Sequence, residues 1–243
     1  MCDFHNDLAL LPNGEDQFVL DTPVMRRFIA AVDAARTTAP DAQAAITMIR
    51  PHFAELLTDP DWLPSTYQET RPESASSTGS GMGGDTGMWL LYRAGDGHLA
   101  FSVLVLGPGR ETPVHDHLGW GLVGLYRGTQ DEVVYRRRDD GARDEYAELE
   151  VTERNALTPG EFYTLLPEND IHRVRTTSAI TSVSLHLLGS DTGCIARRQY
   201  VPEERLARPF RSGYLNVQCA DGADRSTPTW DEVHESVQRM MAV

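Results

Sequence analysis

Two histidines with one residue between them, His115 and His117, are the part of this chain best equipped for chemistry. On an extended strand, side chains two apart project from the same face, so both imidazoles can approach one cation. Neutral imidazole is a good ligand for iron, zinc, copper and nickel. The same pair on the outer face of a surface strand would simply meet water. The spacing of two histidines alone leaves both readings open.

Such a pair needs a strand framework, and the chain reads as strands from Met88 to about Gln199. Short runs rich in Val, Leu, Tyr and Phe (Leu99–Leu106, Trp120–Tyr126, Asp131–Arg137, Phe162–Leu166, His172–Thr176, Ile180–Leu187) alternate with breaks such as Gly95-Asp96-Gly97, Gly107-Pro108-Gly109, Asp139-Asp140-Gly141 and Thr158-Pro159-Gly160. Many short strands at this spacing predict an all-β sandwich or barrel. Helices flank it. Thr22 and Pro23 suit the N-cap and first position of a helix to Arg36, with Val24, Phe28, Ile29 and Val32 on one face. A second helix is expected from about Asp41 to Leu57, with Ile46, Ile49, Phe53, Leu56 and Leu57 as its stripe, stopped by Pro60 and Pro64. Gln68 to Gly87 is rich in Ser, Thr and Gly, and reads as a flexible surface loop or as a flap near a site. After Arg208 no pattern is clear until Thr229 and Glu232, which make a capping box for a terminal helix through Met241. The expected organisation is a helical segment and loop over 1–87, a β-barrel over 88–200 and a C-terminal extension over 201–243, together one structural domain.

Composition narrows the partners. The chain has 243 residues and a net charge of −14. An acidic surface repels phosphates, so neither nucleic acid nor an anionic membrane is an expected partner. No apolar run approaches the length needed to span a bilayer. Met1 to Glu15 has neither a basic nor an apolar region of the kind a signal peptide carries. Cys2, Cys194 and Cys219 are odd in number and scattered, so no disulfide framework is expected, and a reducing, cytoplasmic setting is the default.

The segment from Gly109 through His115 and His117 to Gly128, which lies eleven residues after His117, resembles the first signature of the cupin superfamily. Pro167 to His172 resembles the second, with Asn169 where a glycine is usual. The resemblance implies a double-stranded β-helix, or jelly-roll barrel, in which His172 joins His115 and His117 on one metal ion. The glutamate usual four or five residues after the second histidine is missing: Gly121 and Leu122 stand there, and Glu111 lies elsewhere in the motif. The implied ligand set is therefore three neutral histidines.

A three-histidine cupin preceded by a helical segment is similar to the cysteine dioxygenase and 3-mercaptopropionate dioxygenase family. The similarity rests on Thr112–His117, on Trp120-Gly121 and on Ser184-Leu-His186-Leu-Leu188-Gly189. In that family the last piece carries Ser, His and Tyr in an outer hydrogen-bonded relay. Ser184 and His186 match; Leu188 does not, and the phenol is lost. His186 could equally be a core histidine with its bonds satisfied. Animal-type members hold the substrate carboxylate with an arginine at a place that falls near Gly87 or Met88 here. Members acting on 3-mercaptopropionate use an arginine nine residues after the tyrosine position, which gives Arg197. A guanidinium can grip a carboxylate through two parallel bonds, but Arg197 and Arg198 also read as ordinary surface charges.

The resemblance thus implies an Fe(II) dioxygenase taking a small thiol and O2 to a sulfinic acid, with His115, His117 and His172 as ligands, Ser184 and His186 behind them and Arg197 as carboxylate anchor. A monomer or small homo-oligomer is expected. Two other readings stand beside it: a cupin dioxygenase or isomerase with a non-thiol substrate, and a metal- or small-molecule-binding cupin without turnover.

Overall fold

Thr22 opens the first helix in the computed structural model, which describes residues 14–70, 85–166, 169–219, 222–223 and 226–241. Its Oγ1 accepts from the Met25 amide at 3.2 Å, and α1 runs Pro23–Thr38 with Met25, Phe28, Ile29 and Val32 buried. Asp41 caps α2, Ala42–Thr58, by accepting from the Ala44 amide, and α2 continues through Pro51. The expected apolar stripe of α2 is buried along its length.

The strands are β1 Gln17–Phe18, β2 Thr86–Arg93, β3 Ala100–Leu106, β4 Val114–His115, β5 Gly121–Arg127, β6 Gln130–Arg137, β7 Leu149–Leu157, β8 Phe162–Leu165, β9 Ile171–Thr176, β10 Ser182–Leu188, β11 Arg197–Val201 and β12 Leu206–Phe210. They form two antiparallel sheets, in the orders β1-β2-β3-β10-β5-β8 and β12-β11-β4-β9-β6-β7. Within these orders β3 pairs with β10, β4 with β9, β5 with β8 and β6 with β7. These nested pairs describe one long hairpin rolled so that successive strands change sheets, which is a jelly roll. The fold is mostly β, with two antiparallel sheets and three helices.

Strand alternation divides β3, β5 and β10 between two jobs. Phe101, Val103, Val105, Leu122, Val183, Leu185 and Leu187 pack against α1 and α2 in the largest core. The intervening residues of β10, among them Ser184, His186 and Leu188, face the other way, into the space between the sheets, and every residue of that strand is buried. β7 was not foreseen. Its residues from Val151 to Ala156 are exposed, so it carries no apolar alternation, and it is held by backbone pairing to β6. β12 falls in the expected C-terminal extension, across the point at Arg208 after which the pattern was lost, and it pairs with β11.

The loop expected over Gln68 to Gly87 lies mostly outside the described residues. Its two ends meet, since Thr70 Oγ1 donates to Asp85 Oδ1 at 3.1 Å. At the C-terminus α3, Trp230–Met241, starts on the foreseen capping box: Thr229 Oγ1 accepts from the Glu232 amide, while Glu232 Oε2 accepts from the Thr229 amide. Thr229→Ala is expected to destabilise the protein by about 1 kcal/mol and lower its melting temperature by about 2–4 °C. An unchanged melt would show that the cap contributes nothing.

The cysteine expectation is corrected. Cys194 and Cys219 form a disulfide, with Cα atoms 5.3 Å apart across 25 residues of sequence. Linear spacing could not show this, because the turn after β10 and the extension after β12 meet only in three dimensions. The bridge removes the reason for assuming a reducing compartment. Native protein should release two thiols to a labelling reagent only after reduction; two free thiols in these positions without reductant would refute the bridge. No helix among the described residues is long and apolar enough to cross a membrane.

Candidate metal centre

His115, on β4, lies directly across from His172, on β9, in the pairing of these strands. Two residues on, past the end of β4, His117 returns to the same side. The three rings are buried, with centroids 4.8–5.0 Å apart. Each ring can offer a nitrogen such that these atoms all lie within 4.8 Å of one another.

Each ring is oriented from behind through Nδ1. His115 Nδ1 lies 2.8 Å from the Pro113 carbonyl, His117 Nδ1 3.0 Å from Asp170 Oδ1 and His172 Nδ1 2.7 Å from Glu132 Oε1. An acceptor at Nδ1 places the ring hydrogen there and leaves the Nε2 lone pair for a metal. His172 Nε2 is buried and has no hydrogen-bond partner among the described residues. A buried polar atom left unpaired is costly, and a metal ion would satisfy it. Burial, followed by Arg197 and then the neighbouring rings, pushes the His115 imidazole well below its ordinary pKa. Burial, then His172 and Arg197, does the same for His117. Both rings are thus neutral near pH 7, the state that ligates. The three residues fit a divalent transition metal.

Asp170 also builds the turn after His117. Its carboxylate accepts from the backbone amides of His117 and Leu118, each at 2.9 Å, and holds Leu118 at φ +58° in the left-handed region. Asp116, between the two histidines, points away from them to the Arg198 amide, the Arg198 guanidinium and the Tyr200 hydroxyl.

Ser184 and His186 lie on the wall facing the triad. Ser184 Oγ is 2.9 Å from His186 Nε2. Burial, with His172 and Arg197 as lesser causes, lowers the His186 pKa to about 3, so the ring is neutral. Arg197 is no surface charge. It is 2% exposed, and its guanidinium donates to the Asp116 carbonyl at 2.6 Å, the Thr192 carbonyl at 3.2 Å and Ser212 Oγ at 3.2 Å. It stacks 4.6 Å above the Phe210 ring, whose centroid is 6.0 Å from that of His115. Burial lowers its pKa to about 10, with Asp116 and Asp170 opposing the shift, so it keeps its charge at neutral pH. Three of its five N–H groups are used by protein partners. Gly87 and Met88, the places that the resemblance gave to a carboxylate-binding arginine, lie on β2, and Met88 belongs to an apolar patch with Leu90, Ala100, Tyr214 and Val217.

The two departures noted in the sequence are neighbours in space. Gly121, where a glutamate ligand would be usual, pairs directly with Leu188, where a tyrosine would be usual. A Cβ on Gly121 would lie 2.5 Å from Leu188 Cδ2 and 2.9 Å from the Leu187 carbonyl oxygen. Leu188 therefore occupies the room that a side chain at 121 would need. Glu111 lies away from the triad, 3.4 Å from Arg173 on the surface.

Glu132, Asp170 and Tyr163 were not singled out from the sequence. A signal existed for Glu132: on the alternating strand Asp131–Arg137 it shares the inward face with Val134, where a charge needs a reason. Asp170 sits two residues before His172, inside the second histidine motif.

No family model matches the chain. Among solved structures it is similar to an oxalate oxidase in complex with the substrate analogue glycolate, at 13% identity and a TM-score of 0.37 over 53% of this chain and 59% of that one. It is also similar to the Cnp3 cupin domain of Schizosaccharomyces pombe, at 11% identity and a TM-score of 0.34 over 44% of this chain and 62% of that one. A third similarity is to a cupin superfamily protein from Desulfitobacterium hafniense, at 14% identity and a TM-score of 0.31 over 44% and 78%. This chain spans less than two thirds of the oxalate oxidase and Cnp3 chains. These likenesses are remote, and the strand order carries the architecture without them: a jelly roll with a candidate three-histidine metal site in its interior.

Proposed function

We propose that the protein is a non-heme iron thiol dioxygenase that converts a small, carboxylate-bearing thiol to its sulfinic acid. The observation that carries the reading is a charged, buried guanidinium, that of Arg197, beside three convergent imidazoles. Iron(II) held by His115, His117 and His172 would bind the sulfur as thiolate and supply the redox chemistry for O2. Three neutral ligands add no negative charge of their own, which leaves the centre receptive to an anionic thiolate. Arg197 would take the carboxylate through N–H groups not used by Asp116, Thr192 and Ser212. Ser184 fixes the His186 ring, and the pair would offer a neutral hydrogen-bonding wall opposite the triad. The reaction needs no further reductant: the electrons that sulfur gives up are those that dioxygen accepts, and both oxygen atoms end on sulfur.

The test is an oxygen-electrode assay of iron-loaded protein against a panel of thiols, with isotopically labelled dioxygen and mass analysis of the product. The expected result is one dioxygen consumed per thiol, with both labelled atoms in a sulfinic acid. No oxygen uptake with any thiol, from protein shown to carry iron, would overturn the proposal and leave a metal-binding jelly roll.

A further inference from the structure

Glu132 is 1% exposed and faces the interior of the roll. Its Oε1 lies 2.7 Å from His172 Nδ1, and its Oε2 accepts from Asn155 Nδ2 at 3.0 Å, across the β6–β7 pairing. The Tyr163 hydroxyl, 3.3 Å from the same ring nitrogen, bonds to this carboxylate as well. All of these donors are neutral when His172 is a metal ligand. Among the described residues the His172 ring is the only ion-pair partner of Glu132.

The neighbouring acidic group is treated differently. Asp116 has the Arg198 guanidinium at 3.3 Å as well as the Tyr200 hydroxyl. Hydrogen bonds satisfy the lone pairs of Glu132, but among the described residues no arginine pairs with it. A buried charge without a counter-charge is among the more expensive features a protein can carry. Folding alone gives no reason to keep it, because glutamine would fill the same space and bond to the same asparagine and tyrosine.

We propose that Glu132 is a positioning residue whose missing counter-charge is the metal ion itself, held on the far nitrogen of the His172 ring. The carboxylate fixes the ring hydrogen on Nδ1, so that Nε2 presents its lone pair. It also places a negative charge one ring away from the cation. Together with Asp170 behind His117, it supplies from outside the ligand set the two negative charges that three neutral histidines lack. The inference rests on the three-histidine metal site and not on the thiol chemistry, so it can hold where the proposed reaction fails.

The charge argument places the effect of the carboxylate in the metal-loaded protein. In metal-free protein, Glu132→Gln leaves every proposed ligand in place, and the variant is expected to fold as wild type does, read by circular dichroism. In protein loaded with Co2+, the same variant is expected to melt below wild type. Its Co2+ dissociation constant, measured by competition with a chelator, is expected to rise about 10- to 100-fold, the usual consequence of removing an outer partner of a metal-bound histidine. A metal-free Glu132→Gln protein that fails to fold would make the carboxylate a structural group and overturn the proposal. Wild-type cobalt affinity in the variant would do the same. Wild-type protein that takes up no cobalt would remove the metal site and this inference together.

Discussion

Replacing His172 with alanine is expected to abolish tight metal binding, with folding retained. Wild-type protein purified without chelator should carry about one equivalent of a divalent transition metal, iron or a surrogate such as zinc or nickel, because imidazole ligands discriminate weakly among these ions. Structural zinc sites with four ligands bind with about 10–16 kcal/mol, or on the order of 3 kcal/mol per ligand. Losing one of three ligands should therefore weaken binding by at least about 100-fold. His172 is the most informative of the three, because its Nε2 is buried with no partner among the described residues and Glu132 holds its other nitrogen. Metal analysis of His115→Ala, His117→Ala and His172→Ala, with circular dichroism to confirm folding, is the measurement. Full occupancy in His172→Ala would refute the three-histidine centre.

The second large effect concerns substrate choice. Free cysteine is expected to be a poor substrate beside 3-mercaptopropionate. Cysteine carries an ammonium next to its carboxylate, whereas Met88, Leu90 and Leu188 make much of the interior wall on the other sheet apolar. A charged, buried group near the triad is Arg197, anchored by the Asp116 and Thr192 carbonyls. Removing a hydrogen bond to a charged group costs about 1.5–3 kcal/mol, so Arg197→Ala should lower kcat/KM for 3-mercaptopropionate roughly 10- to 150-fold. The same substitution also strips partners from two buried carbonyls and from Ser212. The comparison must therefore be a ratio: kcat/KM for 3-mercaptopropionate over that for the corresponding mercapto-alcohol, in wild type and variant. A structural loss lowers both and leaves the ratio unchanged, and that result would remove Arg197 from the substrate site. Efficient cysteine oxidation by wild type would defeat this account of the pocket. Arg197→Lys should rescue little, because an ammonium cannot reproduce the planar fork.

The His-x-His pair, the two capped N-terminal helices, the capping box before Trp230 and most of the strands could be read from the sequence, because each depends on local chemistry. A side-chain oxygen reaches an amide three residues away, apolar residues recur with the period of a helix or strand, and glycine and proline mark the turns. What lay beyond such reading depends on chain segments that meet only after folding. β7 is exposed and held by its backbone, so its side chains carry no signal. Cys194 and Cys219 are joined by the meeting of two separate turns. Arg197 could be a surface charge or an interior one until the 192 turn, Asp116 and Ser212 closed around it. The missing glutamate and the missing tyrosine looked like two independent losses, at Gly121 and Leu188; strand register shows that one leucine fills the space of both. The resemblance also implied a ligand set without carboxylates, and the candidate cluster consists of His115, His117 and His172. The carboxylates stand one hydrogen bond further out, at Glu132 and Asp170, forty and two residues from His172. Asp170 could be found by proximity in the chain. Glu132 could not, because antiparallel pairing of β6 with β9 alone brings it behind that ring.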